Sequence, residues 1–226
     1  MSHVNYFQNK NPLSKLRSKI SHHARVKMYN KFFTLTQPVE NSLILDMGVS
    51  PEYLSPEANF LEKLYPYTKN ITMSSIEDAK NLEQVFKGAK FVQYNGGEFP
   101  FEDKQFDICF SSAVLEHVGE RDSQAFFISE CIRVAKKVYL TTPNRYFPIE
   151  MHTMLPLIHL LPQPTHQKLL RLLKMEHWSK IENLNLMTKK ELFSLLPEQY
   201  IKKSEIHFNR LLGIASNLIM VVDDSG

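Results

Sequence analysis

Five short apolar, strand-like runs recur through the middle of the chain, separated by stretches of helix-like pattern. They are Ser42-Leu43-Ile44-Leu45-Asp46, then residues 70–75, 90–94, 106–111 and 138–142. Turn formers close them: Gly48 after the first, Asn95-Gly96-Gly97 after the third, Pro143-Asn144 after the fifth. Helices are expected over 55–64, 75–86 and 122–134, the last with Phe126, Phe127, Cys131 and Val134 at helical spacing. Strands and helices in alternation predict an α/β fold, a doubly wound and mostly parallel sheet with helices on both faces. Two closing runs, near 203–208 and 217–222, flank Leu212-Gly213 and predict an antiparallel hairpin, bringing the sheet to seven strands.

The 226 residues suit a single domain, 1–226, large enough to bury a two-sided core. Within it, residues 1–40 read as an N-terminal helical segment. Residues 145–187, dense in aromatics, leucines, prolines and histidines, read as a helical cap inserted after the fifth strand. Thr188 and Glu191 stand at capping-box spacing and open a further helix. Cys109 and Cys131 each lie in an apolar stretch and read as small buried hydrophobes in a reducing compartment. No secretory signal and no apolar run of membrane-spanning length is visible, so a cytoplasmic location is expected. The net charge of +3 is too small to argue for a nucleic-acid partner, and none is expected. Between Lys10 and Lys31 the chain carries Lys15, Arg17, Lys19, Arg25 and Lys27 with His22 and His23, and no acid. That run is either a solvated helix face or a basic cap meeting an anionic substrate or, peripherally, a membrane surface. Nothing in the sequence fixes an oligomeric state.

In a doubly wound sheet, ligands bind beyond the carboxyl ends of the strands. The loop after the first strand is Asp46-Met47-Gly48-Val49-Ser50-Pro51-Glu52, where Gly48 permits a tight turn and close backbone approach. A dinucleotide site would need two further glycines, and Ser50 with Tyr53 excludes that fingerprint. Further on come Glu98-Phe99-Pro100-Phe101, a strand entered at Phe106-Asp107, then Ser111-Ser112-Ala113-Val114-Leu115-Glu116-His117-Val118, and finally Thr141-Thr142-Pro143-Asn144.

This ordered pattern over 42–144 resembles the type 11 group of class I methyltransferases. The resemblance implies a Rossmann-like seven-stranded fold and S-adenosylmethionine as cofactor. Asp46, Met47 and Gly48 match the leading loop, whose backbone meets the methionine half. Ser75, with Ile76 beside it, stands where the group has a ribose-gripping acid. Asn95, with Gly96, stands where an aspartate binds the adenine. Ser112 and Ala113 match the segment passing beneath the sulfonium. The sequence departs from the group at Ser50 and Glu52, which replace two glycines, and at Ser75 and Asn95.

Methylation of an oxygen needs a base near neutral pH, most often histidine or a carboxylate. Glu116 and His117, at the correct end of the fourth strand, are candidates, and so is His152. The stretch 144–152 puts a cation, a carboxylate and aromatics over the expected acceptor pocket, making Asn144, Arg145, Tyr146 and Glu150 candidate substrate contacts; the alternative is a structured loop in which Arg145 and Glu150 pair. His152, His159, His166 and His177 recur along the cap, but Pro156, Pro162 and Pro164 break any helix that would align them, so no metal is expected. The expected function is methyl transfer to a small-molecule or lipid- or glycan-linked acceptor, at oxygen. The alternative is a non-catalytic relative that keeps the fold for binding.

Overall fold

A computed structural model describes the backbone of residues 12–226 and the side chains of 18–226. Lys10 and the side chains of Lys15 and Arg17 lie outside the described residues.

The seven strands are β1 (Ile44–Met47), β2 (Ile71–Ser75), β3 (Lys90–Gln93), β4 (Phe106–Ser112), β5 (Ala135–Pro143), β6 (Ser204–Leu211) and β7 (Ile214–Asp223). They form one sheet in the order β3-β2-β1-β4-β5-β7-β6. The first five are parallel, and β7 runs antiparallel to both β5 and β6. Chain order reverses between β1 and β4, paired through Met47 and Ser111, so the loops after these strands open onto one crevice. The β6–β7 hairpin turns at Leu212 and Gly213, both at positive φ, which matches the right-handed twist of the strands.

Alternation along the strands splits the core into two layers. Leu45, Met47, Cys109, Val138, Leu140, Leu218 and Met220 pack against Phe127, Ile128 and Cys131 of α4 (Arg121–Val134). Ile44, Ile71, Met73, Phe110, Tyr139 and Ile219 face the other way, against α1 (Pro12–Thr36) and α2 (Phe60–Leu64). Phe126, read as part of the α4 stripe, is 48% exposed; the core face runs through Phe127 instead. Both cysteines are free and buried.

α1 docks through residues three and four apart. Met28 and Phe32 are buried, Phe32 meets Phe110 and Tyr139 edge-on at 5.3 and 5.5 Å, and the Tyr139 hydroxyl donates to the Met28 carbonyl at 2.7 Å. Burying an aromatic side chain such as Phe32 contributes about 1.5–3 kcal/mol. The outer face keeps Lys19, His22, His23 and Lys27 exposed.

Two expected helices are much shorter than their patterns. Only Phe60–Leu64 is helical within 55–64, because Asn59 takes a left-handed φ of 47° and its side chain is used to bind the preceding loop. Within 75–86 only α3 (Leu82–Val85) forms, since the Asp78 carboxylate accepts from the Lys80 N–H and holds a turn. The cap contains α5 (Gln163–Leu172) and short 3-10 turns at 158–160 and 176–179. The capping box is present: the Thr188 hydroxyl accepts from the Glu191 N–H, and the Glu191 carboxylate accepts from the Thr188 N–H, at the start of α6 (Lys189–Ser194).

Candidate active site

The crevice holds two adjoining cavities at the carboxyl ends of β1, β4 and β5. The first, about 180 Å³, is lined by Asp46, Gly48, Ser50, Glu57, Ser112 and Ala113 among others. The second, about 120 Å³, is lined by Glu116, Asn144, Phe147, Glu150, His152 and Ser216 among others. Ala113 and Arg25 line both. α1 crosses above this junction, so Arg25, three residues before Met28, points from its docked face into the crevice.

The β1 loop is built without the expected glycines. Gly48 has a φ of 97°, and a Cβ there would lie 2.1 Å from Val114 Cγ2, so that position requires glycine. Its N–H and that of Val49 donate to the Ser74 carbonyl, at 2.7 and 3.3 Å. Ser50 and Glu52 are not at positive φ, and their backbone needs no glycine. Asn59 stitches the loop instead. Its Oδ1 accepts from the Ser50 N–H at 3.0 Å, and its Nδ2 donates to the Ser50 and Glu52 carbonyls at 2.8 and 3.1 Å.

Asp46 is buried close to Glu62 of α2, whose two carboxyl oxygens are enclosed without a hydrogen-bond partner among the described residues. Burial raises both pKa values, and the Glu62 charge adds to the rise at Asp46, which lies well above the ordinary carboxylate range. The Met47 side chain is in the core, leaving its backbone near the crevice; its carbonyl accepts from the Ser111 hydroxyl at 3.0 Å. Ser112 hydrogen-bonds Thr141 through their hydroxyls at 2.9 Å. Ala113 holds a left-handed φ of 58°, a strained conformation for a residue with a Cβ.

Ser75, Ile76, Asn95 and Gly96 lie at the same sheet edge but line neither cavity. Ser75 accepts from the Glu77 N–H at 3.3 Å, and Asn95 accepts from the Gly97 N–H at 3.2 Å, so each side chain serves its own turn. Ile76 is 58% exposed.

The acceptor side centres on a buried carboxylate and two histidines. Glu116 is fully buried; its Oε2 accepts from the Thr142 hydroxyl at 3.0 Å, while Oε1 has no hydrogen-bond partner among the described residues. His117 Nδ1 lies 2.6 Å from the Asn183 carbonyl, and its Nε2 is 3.9 Å from Glu116 Oε1. Desolvation lowers the His117 pKa against the pull of Glu116. The His152 ring meets those of His117 and Trp178 at 5.0 and 5.1 Å. Glu150 accepts from His152 Nδ1 at 2.6 Å and from the backbone N–H groups of His152 and Thr153. Burial alone would raise its pKa, but these bonds win and hold it at about 2.

Of the remaining predicted contacts, Asn144 lines the acceptor cavity, its Nδ2 donating to the Ala215 carbonyl at 2.8 Å. Tyr146 is 68% exposed and lines neither cavity. Arg145 does not pair with Glu150. It turns to the far side of the cap, donating to the Leu161 carbonyl at 3.2 Å and approaching Glu191 to 3.9 Å. Sequence reasoning missed Arg25, Glu57, Asn59 and Glu62. Of these, only Arg25 carried a signal, as one of the cations in an acid-free segment.

The family model for a methyltransferase domain (Methyltransf_11) matches residues 45–138. Magnesium protoporphyrin IX methyltransferase from Synechocystis PCC 6803, solved with SAH bound, is similar in structure at 11% identity. The match covers 95% of this chain and 89% of that one, with a TM-score of 0.57. The methyltransferase domain of bacterial CtHen1-CN is similar at 13% identity over 90% and 99% of the two chains, TM-score 0.53. The CurJ carbon methyltransferase is similar at 12% identity over 96% and 56%, TM-score 0.52. No curated protein sequence matches significantly.

Proposed function

We propose that this chain, a class I S-adenosylmethionine-dependent methyltransferase by family match and fold, methylates an oxygen of a small-molecule or lipid- or glycan-linked acceptor. The observation that carries the reading is the pair of cavities meeting at Ala113, one for a methyl donor and one for an acceptor.

The first cavity suits the zwitterionic end of S-adenosylmethionine. Arg25 Nε is enclosed without a hydrogen-bond partner among the described residues, which suits the donor's carboxylate. Glu57 and Asp46 line the same cavity and supply acceptors for its ammonium group. Gly48 keeps the wall flat where a Cβ would intrude on Val114. When bound, the cofactor supplies an electrophilic methyl on a positively charged sulfur.

The chain's residues orient and desolvate. Ala113 stands where methyl and acceptor meet, and α1 closes the crevice from above, excluding water. Glu116 and His152 line the acceptor cavity, with His117 behind them against the His152 ring at 5.0 Å, as the groups that manage the acceptor proton. Asn144 and Glu150 border the same cavity, and we assign them to acceptor contact.

Calorimetric titration with S-adenosylmethionine and S-adenosylhomocysteine tests the reading. Both should bind, and Arg25→Met should weaken them tenfold or more, in the range set by losing a charge-assisted hydrogen bond of about 1.5–3 kcal/mol. Absence of binding by the wild type would refute the enzyme and leave the non-catalytic relative as the reading.

A further inference from the structure

The geometry points to a divalent-cation site formed by Glu116, His117 and His152 at the wall of the acceptor cavity. One ligating atom from each lies within 4.8 Å of the other two, and this is the one such group of three among the described residues. It departs from the sequence-based expectation of no metal, which considered only the cap histidines. His159, which shares that spacing, is instead turned to the Phe147 carbonyl, with its Nε2 at 2.8 Å.

Three features of the cluster fit a cation. First, Glu116 Oε1 is buried with no hydrogen-bond partner among the described residues. A buried carboxyl oxygen in that state lacks the partner that a cation would supply. Arg25 attracts Glu116 through space, but no hydrogen bond to Glu116 Oε1 results. Second, both histidines have the outer-shell support that metal-ligating imidazoles carry. The Asn183 carbonyl faces His117 Nδ1 at 2.6 Å and fixes the tautomer that turns Nε2 toward Glu116. The Glu150 carboxylate holds the His152 ring through Nδ1 at 2.6 Å. Third, Glu116 and His117 share one short turn, 115–117, that the surrounding chain holds in place, and His152 reaches them from the loop after β5. Thr142 of β5 fixes Glu116, and the Asn185 N–H donates to the Glu116 carbonyl at 2.8 Å.

Ligand atoms about 2.1 Å from a metal lie about 3–4 Å apart, so small side-chain rotations bring this cluster to coordination distance. Two imidazoles and one carboxylate favour Mn²⁺, Fe²⁺, Co²⁺ or Zn²⁺ over Ca²⁺. Three protein ligands leave positions open toward the cavity, where the cation holds and acidifies the acceptor oxygen, so with the cation bound these side chains act on the acceptor proton through it and not as bases. That role rests on the methyl-transfer reading; the cation site itself does not. In the balanced step the acceptor O–H releases its proton to solvent. A new O–C bond then forms as the S–C bond breaks, leaving a neutral thioether.

The test uses the full chain, stripped with a chelator and titrated with Mn²⁺ alone, without S-adenosylmethionine. Bound Mn²⁺ is read from loss of the hydrated-ion EPR signal. One Mn²⁺ per chain is expected, displaced by Zn²⁺. Binding should weaken at least tenfold in His117→Ala, whose side chain is 35% exposed and can be removed with little disturbance, and in Glu116→Gln. His166→Ala in the cap should bind as wild type. Wild-type protein that takes up neither Mn²⁺ nor Zn²⁺ overturns the proposal, as does a His117→Ala variant with undiminished affinity. A protein that binds S-adenosylmethionine but no cation refutes the site alone. One that binds the cation but no S-adenosylmethionine refutes the methyl-transfer reading alone.

Discussion

Replacing Asn59 by alanine should loosen the cofactor loop more than its distance from the cavity floor suggests. The side chain makes three hydrogen bonds to Ser50 and Glu52, spanning 2.8 to 3.1 Å. At about 1 kcal/mol net each they contribute about 3 kcal/mol. Asn59 is half-buried, so water recovers part of this in the variant, leaving a loss of about 2 kcal/mol. Alanine at a φ of 47° adds strain of about 1 kcal/mol. For a chain of this size the combined loss lowers the melting temperature by about 6–12 °C if the loop melts with the rest. If the loop instead unfolds locally, binding must reorder it, and the combined loss of about 3 kcal/mol appears as about a hundredfold or more weaker S-adenosylmethionine. Asn59→Gly separates the terms, because it relieves the strain and still lacks all three bonds. Calorimetry and thermal unfolding on both variants read the outcome. Wild-type affinity in Asn59→Gly would refute the stitch, and wild-type affinity and melting in Asn59→Ala would refute the whole account.

Two further perturbations probe the same wall. Gly48→Ala should destabilise the fold and weaken the cofactor, since its Cβ meets Val114 Cγ2 at 2.1 Å; adding Val114→Ala should restore part of both, and no recovery would mean that backbone φ alone carries the cost. The Asp46–Glu62 pair sets a pH dependence: its pKa values are raised on folding, so its stabilisation is complete below the ordinary carboxylate range, about pH 4, and is lost as pH rises through the raised values. Glu62→Gln removes one titrating carboxyl and its charge from beside Asp46, so its melting temperature should fall less than wild type between pH 5 and 8. Equal slopes would refute the coupling of the two carboxyls.

The sheet was legible because its signal is repeated. The central strands are buried on both faces, so Ile44-Leu45 or Val138-Tyr139-Leu140 shows as a continuous apolar run whatever surrounds it. The helices at 55–64 and 75–86 were not, because their patterns end in residues that bind loops: Asn59 and Asp78 spend polar side chains on turns, and that competition between local bonds and helix does not show in hydrophobic period. The crevice divides in the same way. Asp46, Gly48 and Ala113 follow directly from strand ends, and so could be placed from the run that precedes them. Arg25 reaches the crevice because Met28 and Phe32, on the same helical face, dock α1 against Phe110 and Tyr139, residues far away in the chain. Arg145 left it for the equivalent reason, its position being set by the Met187 and Leu161 carbonyls and by Glu191 across the cap. The glycine-poor loop joins these cases. Glycine frees backbone either to turn or to admit a ligand, and here one residue, Gly48, serves the turn while Asn59 holds the rest by hydrogen bonds. Ser50 and Glu52 are therefore no evidence against a cofactor, because the conformations they adopt need no glycine.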